Sequence, residues 1–185
     1  MKIVILDRDG VINHDSKDYI KSADEWLPIE GSIEAIARLS RAGLQVVVAT
    51  NQSGLARGLF DQFALAQIHH KMCHMVEEAG GVIDGIFFCP HKPDDNCDCR
   101  KPGTGLLQQI SREMHDDLKQ SWFIGDSLKD LQAGRAYGCI PVLVQTGNGL
   151  TTQQALADNA LEKVAVFADL ATVTEALLAG LDQDE

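Results

Sequence analysis

Two carboxylates one residue apart, Asp7 and Asp9, follow directly on the apolar run Ile3-Val4-Ile5-Leu6, and Gly10 closes them off. Such a run reads as a buried strand of a parallel sheet, and in open α/β sheets ligands bind just beyond the carboxyl ends of the strands. Carboxylates so placed repel each other and resist joint ionisation unless a cation neutralises them. A hard divalent ion such as Mg2+, which takes oxygen ligands, is the simplest partner. Taken alone, the motif reads equally well as a strand that ends in a polar turn.

It does not stand alone. Residues 45–49 form a second β-branched run, closed by Thr50-Asn51-Gln52-Ser53-Gly54, and Trp122-Phe123-Ile124 ends in Gly125-Asp126. Arg100-Lys101-Pro102 stands just before a helical stretch. Lys101 by itself reads as a solvated surface charge, a reading that weakens once three strand ends with polar signatures are counted. Carboxylates, a hydroxyl, a lysine and a divalent ion suit phosphoryl transfer, where positioning and charge neutralisation dominate. One aspartate could attack phosphorus and form an aspartyl-phosphate. The other could protonate the leaving oxygen and then deprotonate water. Thr50 and Lys101 could hold the non-bridging oxygens, and Asp126 could complete the metal site. Asp130, one helical turn later, could orient Lys101 or a metal-bound water.

A second constellation is Cys89-x-His91-x5-Cys97-x-Cys99. Four soft or borderline ligands in one short loop fit a closed, tetrahedral and therefore structural Zn2+ site. Zinc would order a loop that has no hydrophobic core of its own and aim Arg100 and Lys101. The competing reading is free thiols beside a surface histidine. His70, Cys73 and His74 share part of a helix surface, where packing and solvation are the simpler account. Cys139 enters a strand and reads as core, Asp94-Asp95 as a solvated loop tip, and His14 and His115 have no partner legible in the sequence.

The elements that must carry these residues alternate. Strands are predicted at 3–6, 45–49, 83–89, 122–124, 140–144 and 164–167. Helices are predicted from Ser32 to Gly43, after Asp61 with Leu65, Ile68, Met72, Met75 and Val76 inward, over 104–115 and 128–137, and from about Thr152 and Asp169. Residues 11–31 form an irregular active-site stretch, and residues 182–185 a frayed tail. Strict β/α alternation predicts an α/β fold with a doubly wound, mainly parallel sheet, a single domain over 1–185 and no separate cap domain.

The chain has 185 residues and a formal net charge of -11, which argues against nucleic acid and anionic membranes as partners. No apolar run reaches membrane-spanning length, and the first strand begins at once, leaving no room for a secretory signal. Five cysteines, an odd number, then favour metal or free thiols over a disulfide framework. A cytoplasmic monomer acting on a small molecule is the expectation.

Asp7-Arg8-Asp9-Gly10-Val11-Ile12-Asn13, Thr50-Asn51-Gln52-Ser53-Gly54, Arg100-Lys101-Pro102 and Gly125-Asp126-Ser127-Leu128-Lys129-Asp130 resemble, in order, the four motifs of haloacid dehalogenase-superfamily phosphatases. The resemblance runs from Lys2 to about Val144. It implies a Rossmann-like fold, Asp7 as nucleophile, Asp9 as general acid/base, and Mg2+ on Asp7, the main-chain carbonyl of Asp9, and Asp126. With the zinc loop, the chain is similar to the branch containing the heptose-bisphosphate and histidinol-phosphate phosphatases. Residues 51–58, with Ser53 and Arg57, resemble the heptose family, whereas the histidinol branch typically has aspartate at 53 and lacks Arg57. That resemblance implies hydrolysis of the 7-phosphate of a heptose 1,7-bisphosphate. It departs at Ser127, where the family commonly has a lysine, and in the short His91–Cys97 spacing.

Histidinol phosphate remains an alternative substrate. A phospho-accepting receiver-like module is an alternative of another class, although such modules carry the accepting aspartate on a later strand than the acidic pair. With no cap, the loops 13–19, 52–57 and 89–102 must shape the pocket. Expected substrate contacts are Asn13, Asp15, Tyr19, Asn51, Gln52, Ser53, Arg57, Arg100 and Lys101, with Lys17 a further cation for a distal phosphate.

Overall fold

The computed structural model describes residues 2–181; the tail expected to fray, 182–185, lies outside the described residues. Six strands, β1 (Ile3–Leu6), β2 (Gln45–Asn51), β3 (Gly85–Cys89), β4 (Trp122–Gly125), β5 (Ile140–Val144) and β6 (Ala165–Phe167), form one sheet in the order β3-β2-β1-β4-β5-β6. Every pairing is parallel, so every carboxyl end, with its polar residues, reaches the same edge.

The period-2 alternation of β1 sends its side chains to two cores. Val4 and Leu6 pack with α1 (Ser32–Arg41), α2 (Gln62–Glu78) and α6 (Leu170–Leu181) on one face, through Ile36, Ile68 and Val173. Ile3 and Ile5 pack with α3 (Gly105–Met114) and α4 (Leu128–Tyr137) on the other, through Leu107, Ile110 and Ala133. All four β1 residues are buried, and burial of each such side chain favours the fold by roughly 1.5–3 kcal/mol. The strand that leads into the paired carboxylates is thereby fixed in the interior of the sheet, between β2 and β4.

Helix ends follow local chemistry. Asp61 caps α2 by accepting from the Ala64 amide at 2.8 Å. Ser127 and Asp130 close a capping box on α4, and Gly138 ends that helix at φ 104°.

Several boundaries differ from expectation, and three of the shifts have a local cause. β2 runs two residues further, because Asn51 pairs with Cys89 across the edge. β3 starts at Gly85 rather than 83, since Asp84 spends its carboxylate on the Val46 amide, 2.8 Å. α5 (Gly149–Gln154) starts three residues early, in a turn closed by the Gly149 amide on the Thr146 carbonyl, 2.9 Å. No insertion between elements forms a cap, and among the described residues no helix is long and apolar enough to cross a membrane.

Candidate active site and two candidate metal centres

β1 ends at Leu6, and the Asp7 amide still donates to the Ile124 carbonyl of β4, 2.9 Å. That bond carries Asp7 into the cleft at the sheet edge. Its Oδ1 accepts from the Arg8 amide at 2.7 Å and from Lys101 Nζ at 2.9 Å. The same Nζ meets Asp130 Oδ1 at 2.6 Å and the Ala49 carbonyl at 2.7 Å. Lys101 is only 2% exposed and Asp130 is fully buried, so this is an interior network and not a surface charge. Burial alone would discharge the ammonium, but Asp130 and Asp7 overrule it and hold Lys101 firmly protonated.

Asp126 ends β4. Its Oδ2 accepts from the Asn148 amide at 2.8 Å and from Asn148 Nδ2 at 3.2 Å. Gly10 and Gly147 both sit at positive φ, and a Cβ at either would overlap the Asp126 carboxylate. Only glycine admits the carboxylate there. Thr146 Oγ1 donates to the Gly10 carbonyl at 2.6 Å, tying the loop after β5 to the loop after β1.

Carboxylate oxygens of Asp7, Asp126 and Asp130 lie within 4.8 Å of one another. Three buried acids share one ammonium, and the imbalance shows in their proton affinities. Asp7 is pushed well above the ordinary carboxylate range by burial and by Asp130, against the pull of Lys101. Asp126 is pushed up to about 7 by burial and by Asp130. An oxygen-lined, electron-rich pocket short of positive charge fits a hard divalent cation. Asp130 has its oxygens on Lys101, the Ser127 amide (3.1 Å) and Ser127 Oγ (2.6 Å), which leaves Asp7 and Asp126 as the available side-chain ligands.

The Asp9 carboxylate has a partner that the sequence reading did not give it. The Asp9 side chain turns away from Asp7 onto Arg8, whose Nε lies 3.2 Å from Oδ1 and whose Nη2 lies 3.0 Å from each oxygen. Asn13 Nδ2 adds a bond to Oδ1 at 2.9 Å, and Gln52 Nε2 one to Oδ2 at 2.8 Å. Burial pushes the Asp9 carboxyl up, but the Arg8 charge and these bonds outweigh it and hold it below the usual range. Arg8 is therefore a buried counter-charge of Asp9. The Arg8 side chain is 1% exposed.

The cleft, about 410 Å3, is lined by Asp7, Asp9, Asp15, Tyr19, Thr50, Asn51, Gln52, Arg100, Lys101, Asp126 and Asp130 from among the expected residues. Ser16, Ser127, Lys129 and Asn148 line it without having been expected. Asn51 forms a two-bond clamp on the Lys101 main chain, 3.1 and 3.2 Å, and Gln52 links Thr50 Oγ1 (2.9 Å) to Asp9. Asn13 is buried and braces Asp9 instead of lining the cleft; Ser53 is also buried and is not part of the cleft lining. Arg57 is exposed and lines no part of the cleft, and Lys17 faces a neighbouring hollow. An apolar hollow of about 450 Å3 lies at the amino ends of β5 and β6, far from these groups.

A signal for Asn148 was the glycine-containing loop at a fourth strand end.

In the loop after β3, Cys89 Sγ stands 3.6 Å from His91 Nδ1, 3.6 Å from Cys97 Sγ and 3.2 Å from Cys99 Sγ. His91 Nδ1 to Cys99 Sγ is 3.3 Å, and Cys97 to Cys99 is 3.6 Å. A tetrahedron with Zn–S bonds near 2.3 Å has edges of about 3.8 Å, so the four ligands already converge at nearly that spacing. All are free of disulfides. Burial pushes the Cys89 thiol up to about 12; at Cys97 hydrogen bonding from Arg100 and the other sulfurs outweighs burial and brings the thiol to about 7. Arg100 Nη1 reaches the His91 carbonyl at 3.2 Å, fixing that side chain to the loop. Cys139 is core, pushed up to about 12 by burial.

The HAD-hydrolase-like family matches residues 98–173. The chain is 55% identical over 176 residues to D-glycero-beta-D-manno-heptose-1,7-bisphosphate 7-phosphatase of Pseudomonas aeruginosa, covering 95% of this chain and 97% of the relative. A protein of the same name from Bordetella bronchiseptica is 55% identical over 179 residues, 96% of this chain and 98% of the relative. A crystal structure described as D,D-heptose 1,7-bisphosphate phosphatase from B. bronchiseptica, complexed with magnesium and phosphate, superposes with a TM-score of 0.92 at 54% identity, covering 97% of this chain and 99% of that one. The corresponding phosphatase from Burkholderia thailandensis gives 0.74 at 42% identity, with 96% and 99% covered.

Proposed function

This chain belongs to the D-glycero-beta-D-manno-heptose-1,7-bisphosphate 7-phosphatase family of haloacid dehalogenase-like hydrolases, and from that premise we propose that it removes the 7-phosphate of this bisphosphate on the route to nucleotide-activated heptose for lipopolysaccharide. The observation that carries the reading is the Asp7–Lys101–Asp130 network beside Asp126, Thr50 and Asp9 at one sheet edge.

Asp7 attacks phosphorus, and the bond from phosphorus to the C7 oxygen breaks. Asp9, ionised in the free protein, takes up a proton from solvent as the anionic substrate enters beside it, and gives that proton to that oxygen. Asp9 then takes a proton from water as the water oxygen attacks the aspartyl-phosphate, releasing phosphate and Asp7. Lys101, locked in place by Asp130 and Ala49, offsets the charge of Asp7 and of the non-bridging oxygens, with Thr50 Oγ1 as a further donor. Magnesium, when bound, neutralises phosphate charge and holds Asp7 ionised; Asp7, Asp126 and the Asp9 carbonyl would hold it. The Cys89, His91, Cys97 and Cys99 cluster would hold zinc in a closed, structural site.

With no cap, the cleft is shallow and suits a phosphate on an extended primary carbon. Arg100 and Lys129 stand on its lining as cations for the second phosphate. The protein would work as a single-domain monomer in the cytoplasm, with neither nucleic acid nor membrane as a partner.

The test is phosphate release from heptose 1,7-bisphosphate, fructose bisphosphate and histidinol phosphate under Mg2+, with phosphorus NMR of the product. The expected outcome is preference for the heptose and a retained anomeric phosphate. Faster turnover of histidinol phosphate, or release of the anomeric phosphate first, would overturn the reading.

A further inference from the structure

We propose that His69 of α2 is a positioning residue for proton transfer, acting through Arg8 to hold Asp9 where the leaving oxygen arrives. This rests on the proposed phosphatase reading and adds to it a residue that touches neither substrate nor metal ligands.

Arg8 is buried, and its guanidinium has two sides. Nε and Nη2 grip Asp9, while Nη1 stands 3.3 Å from His69 Nε2. Arginine has donors only, so Nε2 must accept, and the ring must be neutral with its proton on Nδ1. Burial and the Arg8 charge bring His69 down to about 4, against the opposing pull of Asp9, in keeping with that state. The Phe88 ring of β3 packs against the imidazole at 6.0 Å and 57°. A helix on one side and a strand on the other thus fix the ring, the ring fixes the plane of the guanidinium, and the guanidinium fixes the carboxylate.

The result is an asymmetric Asp9. Oδ1 is held by Nε and Nη2 of Arg8 and by Asn13, whereas Oδ2 takes one Arg8 bond, from Nη2, and one from the cleft-lining Gln52. Without His69, Nη1 has lost its buried acceptor and the guanidinium can rotate, taking Asp9 with it. Geometric error of this kind penalises the proton transfer more than the attack at phosphorus.

The experiment separates these two steps by leaving group. Departure of the sugar alkoxide needs the proton of Asp9; p-nitrophenolate departs as an anion and needs none. Values of kcat/KM report the step up to leaving-group departure. His69→Leu should lose roughly 10- to 100-fold in kcat/KM on heptose bisphosphate and less than about threefold on p-nitrophenyl phosphate, a share of the proton-transfer contribution. His69→Gln, which can again present an acceptor to Nη1, should recover most of the loss. Equal losses on both substrates, or no loss on either, would overturn the proposal. Wild-type protein inactive on both would instead overturn the phosphatase reading. Should leucine not be accommodated, His69→Ala carries the same comparison. In the wild-type protein, nitrogen-15 NMR should find the proton on Nδ1 of a neutral His69 ring; a protonated Nε2 would contradict the proposal without any variant.

Discussion

Lys101 Nζ lies 2.9 Å from Asp7 Oδ1 and 2.6 Å from Asp130 Oδ1, so one buried ammonium ties the Asp7 carboxylate to the first turn of α4. A residue from the zinc loop thereby becomes the electrostatic centre of a site built mainly by β1 and β4. Lys101→Met should keep the volume and remove the charge. Turnover should fall by about 10²–10³-fold, as for loss of a preorganised charge at a reacting centre. Metal-free stability at neutral pH should fall by roughly 3–5 kcal/mol, the cost of leaving a buried partner unpaired. Denaturant unfolding with and without Mg2+ checks this, the destabilisation being smaller with the ion.

The acid cluster sets a pH dependence for the metal-free protein. Asp7 and Asp126 bind protons more tightly folded than unfolded, Asp126 with a folded value of about 7 against 3.8. The Asp126 contribution is fully present below about 4 and is lost as pH rises through about 7, and the Asp7 contribution is likewise lost as pH rises. Mg2+ binds the ionised form and should reverse the trend. Melting temperatures from pH 5 to 8 should show a Mg2+ shift that grows with pH. A shift independent of pH would contradict the assignment of these carboxylates as ligands.

Arg100 lines the cleft and Arg57 does not. Arg100→Ala should therefore lose roughly tenfold or more in kcat/KM on the bisphosphate and much less on a simple phosphomonoester, because only the former uses remote binding energy. Arg57→Ala should leave both nearly unchanged. Parallel kinetics on the two substrates checks the pair, and the reverse ranking would return the distal phosphate to the 52–57 loop.

The loop carrying Cys89, His91, Cys97 and Cys99 should hold close to one zinc per chain, measurable by elemental analysis. Cys97→Ser should lose zinc and, with it, activity, although Arg100 and Lys101 are unchanged. The expected mechanism is loss of the Arg100–His91 carbonyl bond and of the Asn51 clamp on Lys101. A zinc-free variant with wild-type activity would show that the loop needs no metal to aim these side chains.

Much of this was legible because parallel β/α alternation brings every strand end to one edge. Asp7, Thr50 and Asp126 could be read together without knowing the strand order. The cluster of Cys89, His91, Cys97 and Cys99 was legible for a more local reason, since all four fall within one short loop. What escaped reading depends on contacts between distant segments. Arg8 looked like a spacer between two aspartates, and only the placement of α2 shows that it is buried between Asp9 and His69. The hold of Asn148 on Asp126, across 22 residues of sequence, leaves no periodic mark. Arg57 failed for the opposite reason: a motif position fixes where a residue sits in the chain, not which way its side chain points.

The account turns on Asp7 as the group that takes the phosphoryl group. The most direct measurement is mass-spectrometric mapping of enzyme quenched in acid during turnover of heptose bisphosphate, alongside pure Asp7→Asn. The phosphoryl group should be found on Asp7 in the wild type, and the variant should carry none and turn over no substrate. A phosphoryl group on another residue, or steady turnover by the variant, would contradict it.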